Sequence, residues 1–260
     1  MSYEFITLKK DDRVLTISLN RPPTNPLNGR FGQELFKAFS EAEQMEDITV
    51  VIITSALEKA FIAGADIKEM AAQDAAEAEQ FSKLLQGANN ILNRMKKIVI
   101  AAINGHALGG GCELALACDY RLMTSGKALI GLPEAGLGII PGAGGTQRLP
   151  RLVGLSKALD ILLRGRTMSP QEALAIGLVD KLIEPENFQA EVMQFAQELA
   201  AGAGKALGYI KAAVYEGIDF PLEQALAVER KYSAENGKTH DAKEGLTAFV
   251  EKRRPEFKNE

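Results

Sequence analysis

The stretch Ile98-Val99-Ile100-Ala101-Ala102-Ile103-Asn104-Gly105-His106-Ala107-Leu108-Gly109-Gly110-Gly111-Cys112-Glu113-Leu114-Ala115-Leu116-Ala117-Cys118-Asp119 decides how the rest of the chain is read. Its opening Ile98–Ile103 is a short continuous apolar run, the pattern of a strand covered by helices. Consecutive glycines then lead into a second apolar segment, Glu113–Cys118, and glycine at such a junction lets backbone approach backbone closely. Free N–H groups at a helix start point outward, where the helix dipole also favours negative charge. The turn can therefore hold an anion or a developing oxyanion. A tight strand-to-helix turn that needs glycine for packing alone is the other reading. Glu113 has apolar neighbours on both sides, and a carboxylate there is costly unless it is paired or its pKa is raised. That makes it a candidate acid or base, although a glutamate in a first helical turn also simply complements the dipole.

Working outward, the same alternation of short strands and helices recurs. Upstream, Leu15, Ile17 and Leu19 fall on one side of a strand, joined through Lys9-Lys10-Asp11-Asp12 to a run around Phe5–Leu8, which predicts a hairpin. Phe31, Leu35, Phe36 and Phe39 then take helical spacing ahead of a Val50–Thr54 strand, and Phe81, Leu84, Leu85, Ala88 and Leu92 form a helical face ahead of Ile98. Downstream come a strand over Tyr120–Met123 and a last one over Val179–Ile183. Between them, Ser169-Pro170-Gln171-Glu172 is a capping box with proline at the first helical position, and Gly177 stands where that helix should end. The pattern predicts an α/β fold of repeated ββα units around a mainly parallel sheet, occupying residues 1–187. From Phe188 the period is helical throughout, with helices expected over Phe188–Ala201, Lys205–Tyr215, Pro221–Asn236 and Asp241–Arg254. This C-terminal helical region, 188–260, carries Leu222, Leu226, Leu246, Phe249 and Val250, which must bury on the core or on another subunit.

Composition narrows the function classes. A chain of 260 residues that is 46% hydrophobic and 25% charged is of ordinary globular type. A net charge of −4 argues against a nucleic-acid or anionic-membrane surface. No stretch approaches the roughly 20 apolar residues of a membrane span, and the start lacks a basic stretch leading into an apolar run, so the expectation is a cytoplasmic protein without a signal peptide. Cys112 and Cys118, six positions apart, form neither a redox pair nor a disulfide framework and are expected as buried thiols. With His106 and His240 the only histidines, a histidine-rich zinc site or a Ser-His-Asp triad is hard to build, and no metal site is expected.

Three further segments remain. Glu134, in Ile130-Gly131-Leu132-Pro133-Glu134-Ala135-Gly136-Leu137-Gly138, is a second isolated acid in an apolar, glycine-rich loop, and two carboxylates meeting in one pocket could divide into proton acceptor and donor. Ile139-Ile140-Pro141-Gly142-Ala143-Gly144-Gly145-Thr146-Gln147-Arg148 lacks the Gly-Lys-Ser/Thr of a phosphate loop. It reads as a backbone turn into a helix, with Arg148 as a structural ion-pair partner. Ala60-Phe61-Ile62-Ala63-Gly64-Ala65-Asp66-Ile67-Lys68 is a small-residue bend after a strand, suited to bringing N–H groups beside a ligand. His106 is expected to pack or cap near the glycine turn, His240 to lie at or next to a helix N-cap, and Lys252-Arg253-Arg254 to be a solvated helix end.

Taken together, Ala60–Lys68, Ala107–Ala115, Leu132-Pro133-Glu134 and Pro141–Pro150 closely resemble the enoyl-CoA hydratase (crotonase) family in motif, order and spacing. The likeness extends from Leu19-Asn20-Arg21-Pro22 to Asp241–Gly245 and Phe249–Arg253. It implies a crotonase-like spiral of ββα units followed by a helical trimerisation region, commonly assembled as a dimer of trimers. By that resemblance, Ala65 and Gly110 supply the backbone N–H groups of an oxyanion hole for an acyl-CoA thioester. The segment Ala63, Gly64, Ala65, Asp66, Ile67 and Lys68 matches the adenine and CoA contacts, and Leu108, Gly109, Pro133 and Gly142 fall on the substrate. Glu113 and Glu134 match the family's two hydratase glutamates: the first would deprotonate the water that adds at the β-carbon, the second supply a proton at the α-carbon. Isomerases, dehalogenases and hydrolases of the superfamily usually lack one or both, so retention of both implies hydration of a trans-2-enoyl-CoA without metal or redox cofactor, coenzyme A being the carrier of the substrate. Two alternatives are an enoyl-CoA isomerase, which needs one base and the oxyanion hole, and an RNA-binding or scaffold role with vestigial catalysis, which the acidic balance disfavours. Pro26, the second position of Asn25-Pro26-Leu27-Asn28, and Ile130 depart from common family residues and bear on substrate fit.

Overall fold

In the computed structural model, which describes residues 3–260, the chain winds back and forth between two sheets. An antiparallel hairpin, β1 (Ile6–Asp11) and β2 (Val14–Leu19), starts the larger sheet, and helix α1 (Gly29–Gln44) crosses to β3 (Val50–Ser55), which pairs in parallel with β2. Strand β4 (Ala60–Ala63) then opens the smaller sheet, and α2 (Ile67–Ala72) and α3 (Ala75–Arg94) return the chain to the larger one. The cycle repeats with β5 (Ile98–Ile103), β6 (His106–Leu108) and α4 (Gly110–Leu116). It repeats again with β7 (Tyr120–Thr124), β8 (Ile130–Gly131), a 3-10 turn over Pro133–Leu137, α5 (Gly145–Val153) and α6 (Leu155–Arg164). The last winding reverses the order, giving β9 (Thr167–Met168) to the small sheet and, after α7 (Pro170–Ala175), β10 (Lys181–Ile183) to the large one. The sheets are ordered β1-β2-β3-β5-β7-β10 and β4-β6-β8-β9. This is the expected ββα spiral: each full winding gives one strand to each sheet and then a helix.

The central strands of the large sheet are buried on both faces, which is why Ile98–Ile103 reads as an unbroken apolar run. Side chains alternate across it. Leu15, Ile17, Val51, Ile53, Val99, Ala101 and Ile103 join the main core with Phe31, Leu35 and Phe39 of α1 and Leu85, Ala88 and Leu92 of α3. Their neighbours Val14, Val50, Ile52, Ile98, Ile100 and Ala102 face the other way, onto Phe188, Val192, Ala196 and Ala200 of α8 (Phe188–Ala200). That helix presents one stripe spaced four residues apart, and each large side chain so buried contributes about 1.5–3 kcal/mol. The point at 187/188 is thus a change of secondary structure, while the packing runs on without a break. Helices α9 (Gly204–Gly217), α10 (Leu222–Asn236) and α11 (His240–Glu251) follow; α9 packs on α3 and β5, and α10 on α9.

Several boundaries differ from expectation; the last helix ends at Glu251 and not at Arg254, because Lys252 turns left-handed with a φ of +56°. Lys9 and Lys10 belong to β1, and the turn lies at Asp12, whose φ is +49°. An edge strand tolerates outward charge, and Lys10 pairs with Asp47. Strand β10 begins at Lys181 because the N–H groups of Leu178 and Val179 return to Ala173 O at the end of α7. Helix α4 stops at Leu116, before Cys118. The capping box is present as read, with Ser169 N donating to Glu172 Oε2 at 2.9 Å and Gly177 at φ +80°.

Candidate active site

Each glycine of the Gly109-Gly110-Gly111 turn has its own reason. Gly109 takes a φ of +54°, and a Cβ built on it would lie 2.9 Å from Glu134 Oε1 and 3.7 Å from Gly64 Cα. A Cβ on Gly111 would meet the carbonyl oxygen of Ile62 at 2.2 Å, so α4 rests directly on the backbone of β4. Gly110, the first residue of α4, has an N–H with no acceptor among the described residues. Across from it, Leu27 bridges the bend after β4: Leu27 N donates to Gly64 O at 2.9 Å and Asp66 N to Leu27 O at 2.7 Å. The N–H of Ala65, between them, is likewise left without an acceptor among the described residues. Packing thus accounts for Gly111, while Gly110 presents an unused donor. The bend is pinned by Arg21, which pairs with Asp66 at 3.0 Å, holding its carboxyl below the usual range, and bonds Pro26 O. Ala63 N donates to Thr24 O at 3.1 Å, while Ile67 and Lys68 are exposed at the start of α2.

Glu113 projects from the first turn of α4, only 2% exposed, and its Oε1 accepts from Ala143 N at 2.8 Å and Gly145 N at 2.7 Å. Helix α5 begins at Gly145, so the carboxylate lies at the N-termini of two helices, well beyond complementing its own dipole. Burial still raises its pKa against the backbone donors and the nearby Arg148 charge. Glu134, on the 3-10 turn, is also buried, and its Oε2 has no hydrogen-bond partner. Burial, reinforced by the Glu113 charge, pushes its pKa up to about 7. A buried oxygen without a partner calls for one from water or ligand. The expected pair is thus brought together at the glycine turn, and Leu108 and Pro133, next to the turn and to Glu134 in the chain, are half-buried.

The loop that grips Glu113 is itself gripped from α3. Gln86 Nε2 donates to Gly142 O at 2.7 Å and Asn89 Nδ2 to Ala143 O at 3.1 Å. Arg148 adds a bond to Ala143 O at 3.1 Å and others to Asn93 Oδ1 and Asn90 Oδ1, the latter at 2.7 Å. Arg148 is therefore not the ion-pair partner it was read as: all its acceptors are neutral, and it makes no salt bridge among the described residues. Sequence reasoning missed Gln86, Asn89, Asn90 and Asn93. Their signal was a polar i, i+3, i+4, i+7 stripe beside the apolar face of the same helix.

A model of the enoyl-CoA hydratase/isomerase family matches residues 9–260. The chain belongs to the enoyl-CoA hydratase/isomerase family. It is 42% identical over 258 residues to the crotonyl-CoA hydratase of Syntrophomonas wolfei, covering 99% of each chain. To the short-chain-enoyl-CoA hydratase of Clostridium acetobutylicum it is 40% identical over 261 residues, covering all of both. Among solved structures, the enoyl-CoA hydratase of Bacillus anthracis superposes with a TM-score of 0.94 at 38% identity, covering 99% of this chain and all of that one. The fold is accordingly the crotonase type that the motifs implied.

The other titratable candidates of this family member take structural positions. His106 Nδ1 accepts from Leu129 N at 3.0 Å, and His240 is the first residue of α11, just after its N-cap Thr239. Cys112 and Cys118 are buried free thiols, Cys118 pushed up to about 12 by burial. Arg253 pairs with Glu244 and Glu251. Among the described residues, no group of three or more His, Cys, Asp or Glu side chains is placed to hold a metal ion, and no helix is long and apolar enough to cross a membrane.

Proposed function

We propose that this chain is an enoyl-CoA hydratase, reversibly adding water in the syn sense across a trans-2-enoyl-CoA to give a 3-hydroxyacyl-CoA. One observation carries the reading: two buried carboxyls, both with raised pKa values, flank a pair of backbone N–H groups that have no internal acceptor. The thioester carbonyl sits against Ala65 N–H and Gly110 N–H. Glu113, the carboxylate with fixed backbone donors, takes a proton from water as its oxygen bonds to the β-carbon. The electron pair of the double bond moves to the thioester oxygen as an enolate, which the two amides stabilise; a donor of this kind is worth about 3–4 kcal/mol. Glu134, held protonated toward neutral pH, then gives its proton to the α-carbon and the carbonyl re-forms. No metal or redox group enters, and coenzyme A is the carrier of the substrate. Its adenine and pantetheine side run along Ala63, Gly64, Asp66, Ile67 and Lys68, with Leu108, Gly109, Pro133 and Gly142 lining the acyl end. Residues 188–260 act as a helical region that packs on the core and on neighbouring subunits of a trimer or a dimer of trimers.

The test is loss of the conjugated-thioester absorbance of crotonyl-CoA. Glu113→Gln and Glu134→Gln keep shape but remove proton transfer, so each should lower turnover by about 10²–10⁴ while CoA binding persists. Turnover close to that of the unaltered protein in either variant sinks the two-glutamate mechanism. Product analysis separates hydration from double-bond migration.

A further inference from the structure

We propose that Arg148, together with Asn89, is a positioning residue for the hydration step: it grips the carbonyl of Ala143 so that the loop over 142–145 keeps its N–H groups turned onto Glu113. The inference rests on the reading of Glu113 as the base. In a planar trans peptide the C=O and N–H point in opposite directions, so holding one aims the other. Gln86 pulls on Gly142 O, and the N–H of that same peptide unit, Ala143 N–H, donates to Glu113 Oε1. One unit further on, Asn89 and Arg148 both pull on Ala143 O, each at 3.1 Å, which turns Gly144 N–H toward the same carboxyl. Gly145 N–H follows at 2.7 Å.

Arg148 is built into this loop and does not merely lie near it. Gly144 has a φ of +115°, and a Cβ there would lie 2.0 Å from Arg148 Nη1, so the guanidinium fills the space that the missing side chain leaves. Its Nε and Nη2 donors go to Asn90 and Asn93, amides that fix its plane without cancelling its charge. The unneutralised cation then favours the carboxylate form of Glu113. The other titratable groups facing Glu113 are Glu134 from the 3-10 turn and the Cys112 thiol on its own helix. Of the strands packed on α4, β4 and β5 are apolar, His106 of β6 is bonded to Leu129 N, and Arg121 of β7 pairs with Asp180 at 2.8 Å.

Arg148→Gln, Arg148→Lys and Asn89→Ala, each checked for native circular dichroism and CoA binding, would be assayed with crotonyl-CoA against pH. Misplacing the base should cost Arg148→Gln about 10–100-fold in kcat with KM changed by less than about threefold. The acidic limb of its rate profile should move to higher pH, because both the charge and the donors that favour ionised Glu113 are weakened. Arg148→Lys should keep more of the limb's position than of kcat, since it retains the charge but loses the fork. Added guanidinium should restore part of the lost turnover in Arg148→Ala. In a Glu113→Gln background, adding Arg148→Gln should cost less than about threefold, because a residue acting through Glu113 has nothing left to position. An unchanged kcat and acidic limb in the folded Arg148 variants overturns the inference. So does an equal loss in both backgrounds, which would mark a purely structural role. Should Arg148→Gln not fold, Asn89→Ala is expected to show a smaller loss in the same direction, and a normal kcat there also overturns it. Undiminished turnover in Glu113→Gln alone would instead identify the reading of Glu113 as the part that failed.

Discussion

Glu134 is buried on a 3-10 turn with one oxygen unpartnered, and burial holds its proton on up to about pH 7, against about 4.5 for an ordinary glutamate. Below about 4.5 both the folded and unfolded chains hold that proton and no penalty arises. Between 4.5 and 7 the folded chain binds more protons than the unfolded one, so stability falls as pH rises, and above 7 the full penalty is present, about 3 kcal/mol. Glu134→Gln carries no titratable group and should escape it. Its melting temperature should exceed that of the unaltered protein by several degrees at pH 8 and by little at pH 4.5, and an equal difference at both pH values would contradict this assignment. The variant would then be more stable and less active, as expected where a strained or desolvated group serves function. Both glutamates were visible in the sequence because a charge among apolar residues is conspicuous there. Arg148 was not: it was read as half of a salt bridge, whereas its partners are amides and a carbonyl that lie up to 58 positions away in the chain.

Among the elements, those with a long period or a local chemical signal were legible: the helix over Gly29–Gln44, the buried run Ile98–Ile103 and the Ser169–Glu172 capping box all follow from the residues themselves. Strands β8 and β9, two residues each, have no period to detect and exist only because β6 and then each other offer a ladder to join. The glycine turn lies between these cases. Its glycines marked a junction, but only the packed neighbours show which position cannot accept a side chain. A Cβ on Gly111 would strike the backbone of Ile62, and strand backbone cannot move aside as a side chain can. Gly111→Ala should therefore lift α4 from β4 and destabilise by about 1–3 kcal/mol or more, with hydration lost as Gly110 N–H shifts. Gly136→Ala, on the turn that carries Glu134, meets nothing within 4 Å and should stay within about 0.5 kcal/mol. Denaturant titration of the two variants distinguishes them, and comparable losses would mean that close packing at Gly111 does not set the cost.

For the molecule as a whole, burial is uneven in a way that the sequence could only half foretell. The apolar periods of the last helices demanded a partner, and α8 found one on the large sheet. Leu222, Leu246, Phe249 and Val250 did not: each is at least 72% exposed, and Ile210, Ile218 and Phe220 of the preceding segment are exposed as well. A lone chain rarely keeps so many large apolar side chains in water, so these side chains suit contact with further copies of the same chain, in keeping with the proposed trimer. The sequence carried the apolar positions but not the geometry that leaves them outward, since that depends on how α10 packs on α9 and how the tail returns to Asp241 through Lys258 N and Asn259 N. Placing charge on the exposed apolar side chains of α11 should separate subunits without unfolding them, because neither Leu246 nor Phe249 contributes to either core cluster. Light scattering of the unaltered protein should give a mass of three or six times 28.1 kDa, and Leu246→Glu/Phe249→Glu should give 28.1 kDa with native circular dichroism. A double variant that keeps the full mass would move the subunit contact elsewhere, and an unaltered protein of 28.1 kDa would end the trimer reading.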